Sequence, residues 1–274
     1  MMVNFPEFYY KYEKVDDNKY RYWFSLYDVD GEYKHVGRSL VGAYKGFVDG
    51  GKLYSRSGVT PSTNITYTYF KNYASARGEG WQLIDFQQHC VIAFMLYAKY
   101  GNRNLQAILG AGGAVYITTT GTTNQKGNKD TVNETSGYVN GLGLEGVFGG
   151  LYEWVQNVSI KDRIWAITDP DGVQRNINAG TENGWITKIV AENGPYFDVV
   201  PTDVGDSAYS DYYYQSSGGP FCLLRSCDSF DVNGGVAFSF TTVAASGSGI
   251  NIDSRIAFRG NITELNPEEF KNLL

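Results

Sequence analysis

The chain has 274 residues, room for one large domain or two small ones, with 42% hydrophobic residues for a core and a formal net charge of −6. That acidic balance, with no Lys/Arg cluster, argues against nucleic acid as a partner, because phosphate binding needs a basic face. The 33 Gly and 22 Tyr beside only 7 Pro suit short strands and loops, and speak against a helical bundle.

Residues 8–57 read as strands and turns. Tyr9, Tyr20, Tyr22, Phe24 and Leu26 fall at partly alternating positions, and Asp28-Val29-Asp30-Gly31 supplies a turn. A strand candidate at 42–48 is followed by the turn Asp49-Gly50-Gly51 and a second strand at 52–55. A helix is predicted over 66–76, where Tyr69, Phe70, Tyr73 and Ala74 make an apolar stripe that stops at Gly78. The clearest helix covers 86–100. Asp85 caps it with Gln88 three residues on, a capping-box pattern, and Gly101 closes it after Lys99 in the last turn. It is apolar over much of its circumference, so it should be buried against a sheet. The apolar run at 90–98 within it falls short of the about 20 residues of a membrane span, and no membrane insertion is expected. The polar tract 118–130 should be a long exposed loop. From Trp165 onward, β-rich pieces alternate with Asp169-Pro170-Asp171-Gly172, Glu182-Asn183-Gly184 and Glu192-Asn193-Gly194-Pro195, which predicts hairpins. One α+β domain is the simplest organisation: an N-terminal β segment at 1–40, a main body at 41–262 and a tail at 263–274.

Three stretches then stand out in order. Phe148-Gly149-Gly150-Leu151-Tyr152-Glu153-Trp154 resembles the G-N-x-x-E-W signature of formylglycine-generating-enzyme-like domains, with Gly150 in place of Asn. Leu224-Arg225-Ser226-Cys227-Asp228-Ser229-Phe230 sits where that family has R-G-G-S-[WF], without its glycines, and Arg255-Ile256-Ala257-Phe258-Arg259 is similar to the closing I-G-F-R. The resemblance covers about residues 40–260. It implies an α+β, C-type-lectin-like fold, with two helices packed on twisted antiparallel sheets and long loops. It also implies one of three settings: formylglycine-generating enzymes, variable proteins of diversity-generating retroelements, or bacteriophage tail proteins that recognise hosts. The chain looks most like the phage group. In that frame Glu153, Trp154, Arg225, Phe258 and Arg259 are structural: the indole is buried, Phe258 anchors the core, and Arg225 or Arg259 meets the Glu153 carboxylate.

Catalysis has little support in the residues. Cys90, Cys222 and Cys227 make no disulfide framework, and His35 and His89 lie in no zinc-site spacing. The family's enzymes use two cysteines five apart. Cys222 and Cys227 have that spacing, but they precede or fall inside the R-G-G-S-like stretch instead of following it, so a formylglycine-generating-type oxidase stands as the alternative reading. There is no Gly-x-Ser-x-Gly elbow and no phosphate loop. Asp169 and Asp171 belong to a turn. No cofactor is expected, and a structural calcium ion has no sequence support. The first residues lack the basic and apolar regions of a signal peptide, so export by that route is not expected unless a leader has been removed.

Binding residues are therefore sought where the variable proteins place theirs, between the R-G-G-S-like and I-G-F-R-like stretches at 226–256. Asp228, Phe230 and Asn233 lie there. Alternation over 236–241 predicts Val236, Phe238 and Phe240 in the core, with Ala237, Ser239 and Thr241 on the outer face. Tyr212, Tyr213 and Tyr214 have the composition of a recognition surface, Tyr212 and Tyr214 on one face and Tyr213 on the other. The ligand-binding candidates are thus Tyr212, Tyr213, Tyr214, Asp228, Phe230, Asn233, Ser239 and Thr241. The expected function is non-catalytic receptor binding by a phage or prophage tail-associated protein. It would be found in the virion tail, or in the producing cell's cytoplasm before assembly. It would bind a host cell-surface glycan or protein as a homo-oligomer, a trimer among the options. A structural virion component without a receptor is the third reading.

Overall fold

Alternating aromatics near the N-terminus build the first sheet of the computed structural model, which describes residues 1–16, 19–111, 118–125, 130–133, 138–192, 196–206, 208–226, 234–264, 266, 268 and 271. The strands Phe8–Asp16 and Lys19–Ser25 pair antiparallel, and Lys34–Val36 flanks the first of them. The register Tyr10↔Phe24 and Tyr12↔Tyr22 puts Phe8, Tyr10, Tyr12, Tyr22 and Phe24 on one face, because side chains alternate along a strand. That face packs on the helix Phe86–Tyr100: the ring of Phe94 lies 4.9 Å from Tyr10, 5.1 Å from Tyr22 and 4.9 Å from Phe24.

The helix itself is set by its ends. Asp85 accepts from the Gln88 backbone at 2.8 Å while Gln88 Oε1 accepts from the Asp85 backbone at 3.0 Å, and Gly101 closes it in the left-handed conformation at φ 59°. Its opposite side meets the largest sheet, where Phe86 lies 5.9 Å from Trp165. Sheets on two sides explain why the helix is apolar nearly all round. The shorter helix Tyr67–Ser75 is capped by Thr66, whose hydroxyl accepts from the Tyr69 backbone at 3.3 Å.

Chain ends meet in a four-stranded sheet, in the order Met2–Phe5, Ser39–Gly42, Ile256–Phe258, Trp81–Leu83. Phe5, Phe8, Tyr10 and Val36 share one apolar cluster with the Phe86–Tyr100 helix, so the N-terminal segment and the body at 41–262 have a common core. The largest sheet runs Gln174–Asn178, Ile164–Thr168, Tyr152–Lys161, Phe221–Ser226, Ser239–Val243, Tyr212–Gln215, Gly184–Ile189, Pro201–Val204, and Ile252–Ser254 adds on to Tyr152–Lys161. The predicted turn at 169–172 does join a hairpin, Ile164–Thr168 with Gln174–Asn178.

This architecture corrects the α+β, C-type-lectin-like expectation. Of the described residues, 42% lie in strands and 15% in helices, and the main sheet is a curled half-barrel of eight strands instead of a platform for two helices. Both long helices form where predicted, at Tyr67–Ser75 and Phe86–Tyr100, yet they are a minor part of the molecule. The reason lies past residue 130, where turn residues recur too often for helices to propagate and β-rich pieces pair across long sequence distances. Two of those pairings are parallel: Tyr212–Gln215 with Ser239–Val243, and Tyr152–Lys161 with Ile252–Ser254. The described part of the tract 118–130 is not uniformly exposed. Thr120 and Thr123 are buried, because the buried Glu145 carboxylate accepts from the Gly121 and Thr123 backbones and from the Thr122 hydroxyl.

Candidate functional site

An aromatic stripe crosses one face of the large sheet. Trp185 stands opposite Tyr212 in antiparallel register, and Tyr214 stands beside Phe240 in parallel register. Ring centroids follow one another at 5.4 Å from Trp185 to Tyr212, 4.5 Å from Tyr212 to Tyr214 and 5.2 Å from Tyr214 to Phe240. Next across the sheet from Phe240 are Leu224 and then Trp154. Trp154 is fully buried: Tyr67 lies edge-on at 5.9 Å and Ile65 accepts from its indole N–H at 3.3 Å. The segment around the Tyr67–Ser75 helix therefore covers one end of the stripe. The other end emerges, with Tyr212, Tyr214 and Phe240 half-buried and Trp185 exposed. Rings fixed by strand pairing offer a large apolar area with little entropy left to lose.

Behind the stripe, the turn leading into the Ser239–Val243 strand is clamped from both sides. Asp211, wholly buried, accepts from the Ala237 backbone at 2.8 Å and from Gln106 Nε2 at 3.0 Å. It sits so close to Gly235 that a Cβ there would lie 2.2 Å from its carboxylate, so only glycine fits. Burial pushes the Asp211 carboxyl up to about 7, against the opposing pull of its hydrogen bonds and of Arg225. Arg225 holds the carbonyls of the same turn, donating to Ala237 O at 2.8 Å, Phe238 O at 3.0 Å and Ser239 Oγ at 2.6 Å, and it also reaches Val199 O. Burial lowers this guanidinium to about 10.

A second buried polar cluster locks the sheets together. Glu153 Oε1 accepts from Lys45 Nζ at 2.9 Å and from Arg255 Nε at 2.9 Å, and all three side chains are buried. Burial alone would raise the Glu153 pKa, but Arg255 and Lys45 outweigh it and hold the carboxyl well below the usual range. Arg255 donates further to Gly42 O at 2.8 Å, Glu145 O at 2.8 Å and Gly146 O at 3.2 Å. With no path to solvent, this cluster acts as scaffold.

The predicted site residues are dispersed by the fold. Tyr212 and Tyr214 lie in the stripe, while Tyr213 points the other way and is fully buried, as strand alternation requires. Ser239 and Thr241, expected on the outer face, are fully buried: Ser239 Oγ accepts from Arg225, and the Thr241 hydroxyl donates to Tyr214 O at 3.0 Å. Phe240, expected in the core, is the half-exposed neighbour. Phase was lost because 236–238 is a turn, not a strand, so Val236, Ala237 and Phe238 are all buried. Asp228, Phe230, Asn233 and Cys227 fall outside the described residues.

The motif residues also differ in partner. Glu153 binds Arg255 and Lys45, whereas Arg225 clamps the 237–239 turn and Arg259 donates to Asp85 and to Gln87 Oε1 at 3.1 Å. Phe258 is half-buried at the edge, 5.0 Å from Trp81, and is no core anchor. Trp154 takes the buried position expected of it. The sequence reading did not single out Trp185, Lys45 or Asp211. A Trp two residues past Glu182-Asn183, at the start of a strand, was the one available signal.

Cys90 and Cys222 are buried free thiols, which burial pushes up to about 12 and about 11, so both are protonated at neutral pH. Among the described residues no three His, Cys, Asp or Glu side chains converge as a metal-binding group, and no helix is long and apolar enough to cross a membrane. No protein-family model matches the chain, and no curated protein sequence matches it.

Proposed function

We propose that the protein is a non-catalytic binding protein that recognises a glycan or protein on a host cell surface, as a tail-associated component of a phage or prophage. The observation that carries the binding half of this reading is the emergent stripe of Trp185, Tyr212, Tyr214 and Phe240. Fixed aromatic rings bury the C–H faces of sugars or the side chains of a protein with little ordering cost, which is the logic of recognition surfaces. The host-recognition setting rests on the three ordered motifs, and it concerns function alone, since the fold differs from the one they implied. The oxidase reading gains nothing from a Cys222 thiol that is protonated at neutral pH.

Adsorption of labelled protein to candidate host cells, with a panel of their isolated surface glycans, tests the proposal. Trp185→Ala should lower binding about tenfold, as loss of an exposed aromatic anchor does, and should leave the melting temperature within about 2 °C because the ring is exposed. Virions that assemble normally with this variant but adsorb poorly separate receptor binding from a purely structural role. Failure to bind any plausible host surface, together with turnover on a peptide or sulfatase substrate, would overturn it.

A further inference from the structure

Among the described residues the N-terminal sheet is open at both edges, and Lys19–Ser25 is the longer of its two edge strands. Its order is Lys19–Ser25, Phe8–Asp16, Lys34–Val36, and among the described residues no strand lies beyond Lys19–Ser25. An open edge is a template for another strand, and natural proteins usually blunt it with charged side chains, Pro, bulges or short length. This one is seven residues long and has no proline; its two charges, Lys19 and Arg21, share one face, and Tyr20, Tyr22 and Phe24 share the other. Trp23 is 42% exposed, Phe24 49%, Leu26 72% and Tyr27 74%. So many adjacent exposed apolar side chains mark an interaction surface.

We propose that the Lys19–Ser25 edge pairs antiparallel with the same edge of a second copy, about a two-fold axis at Tyr22, joining two three-stranded sheets into one of six. The sequence of the edge, Lys-Tyr-Arg-Tyr-Trp-Phe-Ser, is self-complementary in this register. On the face that looks toward the helix, Tyr22 meets the second copy's Tyr22 and Tyr20 meets its Phe24. On the other face Arg21 meets the second copy's Trp23 and Lys19 meets its Ser25. Aromatic pairs and a cation over an indole are favourable cross-strand neighbours, and neither positive charge faces its like. Arg21 lies 5.7 Å from the Trp23 ring of its own strand and 3.3 Å from Glu13 on the neighbouring strand, so guanidinium and indole stand on the same face of the edge.

There is also room on the helix side. An open groove of about 630 Å³ is lined by Tyr20, Tyr22 and Phe24 on one wall and by Tyr97, Ala98 and Gly101 at the end of the helix on the other. The second copy's Tyr20 and Phe24 rings fit such a space. A two-fold contact is self-complementary and closes on itself, giving a dimer rather than a fibre. The inference stands apart from the binding reading, since the edge strand and the aromatic stripe lie on different sheets.

Sedimentation equilibrium of the full chain from about 1 to about 100 µM should show a dimer whose fraction rises with concentration. Trp23→Lys places like charges opposite each other at two symmetry-related positions and should weaken the dimer about tenfold. The double variant Arg21→Glu/Trp23→Lys makes both pairs opposite in sign, and recovers the dimer in this register only. Melting curves confirm that each variant is folded. Amide exchange across Lys19–Ser25 should slow as the concentration rises. A wild-type chain that is monomeric at about 100 µM, a dimer indifferent to Trp23→Lys, or a double variant with no recovery would each overturn the proposal. So would a monomer whose edge accepts a strand from a different protein.

Discussion

Replacing Arg255 by Lys isolates what the guanidinium contributes beyond its charge. The side chain is buried and carries four hydrogen bonds, to Glu153 Oε1 and to the carbonyls of Gly42, Glu145 and Gly146. Those acceptors lie on three different strands: Tyr152–Lys161, Ser39–Gly42 and Leu144–Phe148. A lysine ammonium keeps the positive charge beside Glu153 but is a single point, and cannot reach Gly42 O and the Glu145/Gly146 pair together. Two buried carbonyls at least lose their donor. Each costs about 1–3 kcal/mol, so Arg255→Lys should lower the unfolding free energy by about 2–6 kcal/mol. That is a large share of the roughly 5–15 kcal/mol of a typical domain. A neutral replacement would leave Glu153 with Lys45 and the His89 ring 3.4 Å away, and risks losing the fold. Urea unfolding followed by the fluorescence of the five Trp measures the loss, with an unchanged slope showing that stability alone has moved. Arg56→Lys is the control, because it pairs with Asp49 at 3.0 Å with both side chains exposed, and it should cost about 1 kcal/mol or less. If Arg255→Lys falls within about 1 kcal/mol of wild type, the guanidinium is not the link between the three strands.

Two further outcomes follow from the same buried groups. Asp211 has its pKa raised from 3.8 to about 7, so between those values the native state holds a proton that the unfolded chain has lost, and stability falls as pH rises. The difference of 3.2 between 7 and 3.8, at about 1.4 kcal/mol per unit, bounds the effect at about 4.5 kcal/mol. Urea titrations from pH 5 to pH 8 should show this slope. Asp211→Asn should reduce it, leaving the share of Asp253 and Asp198, whose pKa values burial also raises, and an unchanged slope in that variant would assign the whole pH dependence to those other groups. Cys90 and Cys222, buried and pushed up to about 12 and about 11, should react with a thiol reagent at least about 100-fold more slowly in the native state than in urea. Labelling of either at the rate of a small free thiol would contradict the burial described for the pair.

What the sequence determined by itself is local. The helix Phe86–Tyr100 is written in its own ends, because a capping box and a terminal glycine act within four residues. Likewise the opposed faces of Tyr212 and Tyr213 follow from strand geometry alone. Beyond that range the sequence misleads. Glu153 stands in register with Arg225 across two strands, yet Arg225 turns to the 237–239 carbonyls and Glu153 is met by Arg255 and Lys45, 102 and 108 positions away. The half-exposed ring of Phe240 and the buried hydroxyls of Ser239 and Thr241 depend on a turn that Asp211 and Arg225 impose from distant segments. Only the tertiary structure decided whether the β-rich pieces would support two helices or curl into a half-barrel. Strand order is set by pairings between distant segments, and the energy of each pairing exists only once both are in place.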